Sequence, residues 1–133
     1  MANEAVCIET PTIFRRRTIA AGAVLPFGTV LELTDPNTAI ASSGSGDPFG
    51  GIVFGMESTA TDTFTELTVA MNGVWDLKDS GAGTGIGVPL AIGGANTFRA
   101  AIEADTVLGT IVGRTEETTS AAEVGRASIG GFF

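Results

Sequence analysis

Side chains able to do chemistry are few in this 133-residue chain, and they are thinly spread. Histidine and tyrosine are both absent. That removes Ser-His-Asp and Cys-His nucleophilic catalysis, the commonest general base and nearly all zinc sites. Carboxylates come in two close pairs, Asp76/Asp79 and Glu116/Glu117. Two acids can serve glycoside hydrolysis or hold a hard cation, but nothing around either pair has the spacing of a calcium loop. Glycines gather in GSGDPFGG (44–51) and GAGTGIG (81–87). Neither run fits G-x-G-x-x-G or G-x-x-x-x-G-K-[ST], the spacings that cradle phosphate. The single cysteine, Cys7, excludes an internal disulfide and reads as a small apolar residue. The expectation is no enzyme, with no cofactor, metal or small-molecule substrate.

Charge narrows the partners. Residues 1–34 are neutral, with Glu4, Glu9 and Glu32 set against Arg15, Arg16 and Arg17. Residues 35–133 hold twelve acids against four bases and carry the whole net charge of −8. Such a body repels phosphate backbones, so nucleic acid is an unsuitable partner. The uncharged run from Thr18 to Leu31 is 14 residues long, too short to span a bilayer, and is broken by Gly22, Pro26 and Gly28. It also follows acidic residues, unlike a secretory signal. A soluble protein made in the cytosol, with no membrane contact, is expected.

The elements that must position these side chains read mainly as strands. Short apolar or alternating runs recur between turn residues, over 28–34, 49–56, 63–71, 74–78, 86–92, 106–112 and 124–129. Helix is scarce, with Phe98–Asp105 the best candidate and TEETTSAAE (115–123) a possible short turn. Asp35-Pro36-Asn37, 42–48, 79–85 and 93–96 read as turns or loops. Asn72-Gly73, between two strand-like runs, predicts a type I′ hairpin, with a glycine-led bulge as the alternative. Glycine repeatedly precedes a β-branched or aromatic residue, as in Gly51-Ile52-Val53 and Gly73-Val74-Trp75. In strands that pattern marks bulges and corners, which small closed sheets need. The expected fold is mainly β: a small single-domain barrel over residues 18–133, preceded by an extended arm, residues 1–17. Trp75 and Phe49 are read as core or intersubunit packing. Phe132 and Phe133 are expected to be buried in the core or against another chain.

The run AAGAVLPFGTVLEL, then PFGGIVFGMESTATDTFTELTVAMNGVWDL, then VLGTIVG, resembles the small capsid decoration or cement proteins of tailed phages. The likeness extends both to the broad cement family and to the lambda head decoration protein. It is carried by Ala21-Gly22, Gly51-Ile52-Val53, Leu67-Thr68-Val69, Gly73-Val74-Trp75 and Gly109-Thr110-Ile111, and covers residues 18–113. The resemblance implies a β-tulip fold and homotrimers on the exterior of the virion capsid, holding neighbouring major capsid proteins together after the shell expands. It also implies synthesis in the host cytoplasm.

On this reading the arm makes the capsid contact. Thr12, Ile13, Phe14, Arg15, Arg16 and Arg17 would add a strand to a capsid-protein sheet. The alternative is that Ile13-Phe14 joins the domain's own sheet as an edge strand. A β-domain of a phage tail tube or baseplate, or a small adhesion or glycan-binding module, would fit the same composition.

Overall fold

Val30 and Leu31 are neighbours in a strand, so their side chains point to opposite faces; both are fully buried. Ile52 and Val53 behave alike. A sheet with such pairs must be covered on both sides, and that requirement organises the whole molecule. The computed structural model describes residues 3–81, 83–120 and 122–130. In chain order the elements are β1 (Val6–Glu9), β2 (Phe14–Thr18), β3 (Val30–Leu33), β4 (Ala39–Ala41), β5 (Phe49–Val53) and β6 (Glu66–Ala70). There follow β7 (Gly73–Asp79), β8 (Pro89–Gly94), β9 (Thr97–Ala100), α1 (Glu103–Leu108), β10 (Gly113–Thr115) and β11 (Val124–Ile129).

One sheet has the order β2-β6-β5-β3-β4, all antiparallel. It curls until Thr18 meets Thr38 at a parallel bridge. Its concave face encloses Ile19, Leu25, Leu31, Val53 and Leu67. Its other face presents Val30, Ile52 and Ala70 to a second core with Trp75, Leu77, Leu90, Phe98 and Ile129. Each large side chain buried there contributes about 1.5–3 kcal/mol. The second sheet runs β7-β11-β10-β8-β9, and β9 returns to β7 through a parallel pairing of Lys78 with Thr97 and Asp79 with Phe98. It is thus a five-stranded barrel, with β1 laid along the first half of β7. The mainly β, small-barrel expectation holds.

Polar groups stitch the two sheets together. Asn96, at the β8–β9 turn, has φ 55° and is buried. Its Oδ1 accepts from the Val30 amide at 2.9 Å, and its own amide donates to Ser42 Oγ at 2.9 Å.

The Asn72-Gly73 hairpin is not formed. β6 pairs with β2 and β5, whereas β7 pairs with β1, β11 and β9, so the chain crosses here from one sheet to the other. Gly73 alone takes a positive φ, +111°, and an added Cβ would lie 3.0 Å from both the Glu9 carbonyl oxygen and Trp75 Nε1. Gly73→Val should therefore cost at least about 1–3 kcal/mol, from backbone strain and crowding together. An unchanged midpoint in urea unfolding would contradict this. Gly51, φ +115°, sits beside the register shift between β3 and β5, where glycine was expected to make a bulge.

Two helix expectations move. Phe98 lies in β9, held by pairing with Ile92 and Asp79, and the helix starts only at Glu103. The strand expected over 106–112 is instead the end of α1, its left-handed cap Gly109 and a connection into β10. Residues 115–123 form no helix among the described residues. What fixes α1 is Asp105, which turns inward. Its carboxylate accepts from Arg99 Nη1 at 2.7 Å, the Ile102 amide at 2.7 Å and Thr110 Oγ1 at 2.9 Å.

Residues 3–17 do not stand apart as an arm. Ala5 is buried and its amide donates to the Gly28 carbonyl at 2.8 Å. Cys7 pairs with Trp75 in register, and β2 pairs along its whole length with β6. Phe132 and Phe133 lie outside the described residues.

Candidate partner-binding surface

β2 is an edge strand, so its chemistry depends on which way each residue faces. The Met71 amide donates to the Ile13 carbonyl at 2.9 Å and the Ile19 amide to the Thr65 carbonyl at 2.8 Å. Odd-numbered residues therefore turn their backbone groups toward β6. The Thr18 amide points the other way, to the Asn37 carbonyl at 2.8 Å. By the same alternation Phe14 and Arg16 present N–H and C=O groups to the free edge, where β2 has no neighbouring strand among the described residues. Asn72 sets this geometry: its Oδ1 accepts from the Thr12 and Ile13 amides, each at 2.9 Å, and its Nδ2 donates to Thr12 Oγ1 at 2.9 Å.

The arginine triplet divides. Arg15 and Arg16 are exposed, and Arg16 makes a long, solvated contact with Glu66 at 3.9 Å. Arg17 is buried, 5% exposed, and donates from Nε to the Gly50 carbonyl at 3.0 Å. Burial, and then the charge of Arg15, lower its pKa. Arg17 is thus a structural residue, too deeply buried to serve the capsid contact expected of it.

Aromatic rings lead from this edge to the core. Phe14 lies 5.7 Å from Phe54, and Phe54 meets Trp75 edge-on at 6.2 Å and 87°. Trp75 is 2% exposed, and its Nε1 donates to the Asn72 carbonyl at 3.1 Å. Two shallow hollows flank Phe54. One, about 370 Å³, includes Phe14 and Met56; the other, about 350 Å³, includes Phe27, Cys7 and Trp75. Burial pushes the Cys7 thiol up, which favours the neutral form. On the opposite side of β2, Ile13, Arg15, Met71 and half-buried Phe49 line a hollow of about 440 Å³. Sequence reasoning missed Phe54 and Met56; their apolar types within FGGIVFGM signal a strand but not an exposed rim.

The carboxylate pairs do not converge as acid–base pairs. Three residues apart in one strand, Asp76 and Asp79 face opposite sides. Asp76 meets Arg126 at 3.4 Å, while buried Asp79 accepts from the Gly81 amide at 2.7 Å. Glu116 bonds Ser128, and Glu117 accepts from the Arg126 amide at 2.7 Å. All four take part in holding turns and strands.

No family model and no curated protein sequence matches the chain. Among solved structures it is similar to the N base of the head fiber protein gp8.5 of bacteriophage phi29, with a TM-score of 0.54. The identity is 13%, over 89% of this chain and 95% of that one, so the two proteins share a fold.

Proposed function

We propose that the protein is a structural component of a phage virion, carried on the outside of the capsid. The observation that carries this reading is the fold shared with a phage head-fiber base over nearly the full length of both chains. Within that class it acts as a decoration or cement protein. Homotrimers bind the major capsid protein and hold neighbouring copies together. The capsid contact uses the edge of β2, where Phe14 and Arg16 offer backbone groups that meet no strand among the described residues, beside an apolar rim. An extended capsid segment would pair there by strand addition. Three such contacts per trimer would raise the apparent affinity by about 10²–10⁴ over one. A ligand that prefers the expanded shell stabilises that state by linkage.

Co-sedimentation of the purified protein with expanded shells, and separately with tail tubes, tests the reading. Binding to shells is expected; binding to tail tubes alone would replace the capsid assignment with the tail one. Replacing Arg16 with alanine should weaken shell binding a few-fold and flatten its salt dependence, because exposed charge contacts are screened. Unaltered affinity would remove this side chain from the contact. Arg17→Ala should lower thermal stability, since its guanidinium is buried.

A further inference from the structure

The helix α1 is inside out. Its buried residue is the carboxylate Asp105, while Val107 and Leu108 face solvent at 80% and 71% exposure, next to Ile102 at 61%. These are among the most exposed large apolar side chains of the molecule. The helix is also held firmly, by the Arg99–Asp105 ion pair and by the left-handed cap at Gly109. A short helix that buries charge and displays leucine is arranged to present an apolar knob. Immediately after it, at Gly109, begins the hollow lined by Ile13, Phe49, Met71 and Ile111. Charge is matched as well. Glu103 shares the surface of Val107 and Leu108, and Arg15 shares the rim of the hollow. Neither makes an ion pair among the described residues.

We infer that this face is a self-association surface. The knob of one copy, Val107 and Leu108, enters the Ile13–Phe49–Met71–Ile111 hollow of a second copy, with Glu103 of one meeting Arg15 of the other. The occupant is a second copy because knob and hollow lie on the same chain with opposite charges at their rims. A contact between two different patches repeats from copy to copy, closing as a ring where the rotation per copy closes and running on as a filament where it does not. The inference deepens the homotrimer reading and rests on it for the number of copies. The rest of the body is acidic, so the Glu103–Arg15 pairing also selects the register in which like charges stay apart.

Sedimentation equilibrium of the full chain over a range of micromolar concentrations tests this, with Trp75 fluorescence confirming that each variant is folded. Leu108→Asp should weaken association at least about 30-fold, the loss typical of a central apolar anchor. Glu103→Arg and Arg15→Glu should each weaken it about 3–10-fold, and the double reversal should recover most of that loss. Folded wild-type protein that stays monomeric at high micromolar concentration would overturn the inference. So would association indifferent to Leu108→Asp, or charge reversals whose effects simply add. Shell binding by a monomer that is lost in Leu108→Asp would assign the face to the capsid instead, and also overturns it. A stoichiometry other than three, still sensitive to Leu108→Asp, would retain the contact and sink only the trimer.

Discussion

Replacing Trp75 with alanine should lower the unfolding free energy by about 3–5 kcal/mol, the largest single loss we expect in this chain. The ring is 2% exposed and sits in the core shared by the two sheets. Its strand neighbours are Cys7 of β1 and Ala127 of β11, small residues that cannot expand into the space it leaves. Truncation also removes the edge-on contact with Phe54 and leaves the Asn72 carbonyl without its indole donor. Asn72 in turn holds Thr12 and Ile13, so the damage should spread to the β2 edge. For a domain of this size the melting temperature should fall on the order of 10–20 °C. Urea unfolding followed by far-ultraviolet circular dichroism measures the loss without needing the tryptophan signal. A cost below about 1 kcal/mol would show that the ring is not packed as described.

Asp105→Asn is expected to remove about 2–3 kcal/mol at neutral pH, and its dependence on pH distinguishes charge from shape. The Arg99 hydrogen bonds hold the Asp105 carboxyl down, against burial that pushes it up; donation from Ile102 and Thr110 adds to the lowering. Its pKa falls from 3.8 to about 2. Because the folded value lies below the unfolded one, the stabilisation is fully present above about pH 4 and is lost as pH drops through about 2. The near-isosteric amide keeps the packing and discards the charge. The stability gap between wild type and variant should therefore be constant from pH 7 to about 5 and narrow steadily below pH 4. A gap that stays the same down to pH 2 would mean that the Arg99 pairing contributes nothing through charge.

Several features were decided by the sequence alone. Alternating and continuous apolar runs bounded by Asp-Pro-Asn and serine–glycine segments made the chain β-rich, because strand period and turn chemistry are local properties. Glycine at 73 announced a positive φ and glycine at 51 a bulge, since a residue with a Cβ is strained in such turns and corners. The absence of histidine and tyrosine needed no structure at all.

Partners distant in sequence were decided only by the tertiary structure. Asn72-Gly73 carries the local grammar of a hairpin, yet its flanking strands belong to different sheets, because Ala70 is drawn to Phe14 and Ile52 while Gly73 is drawn to Ile129. The first seventeen residues show no core pattern of their own. Residues 3–17 become structural through pairings such as Phe14 with Ala70 and Cys7 with Trp75, more than fifty residues away. Arg17 reads like its two neighbours until the fold places the Gly50 carbonyl beside its guanidinium. Phe98 suits a helix by local spacing but is captured by Ile92 and Asp79 on adjacent strands, which leaves α1 to begin five residues later with its apolar side outward. Each outcome turns on which surface meets which, and short-range patterns do not encode that: a strand's face, edge and register are fixed by the partner that completes its hydrogen bonds and buries its side chains.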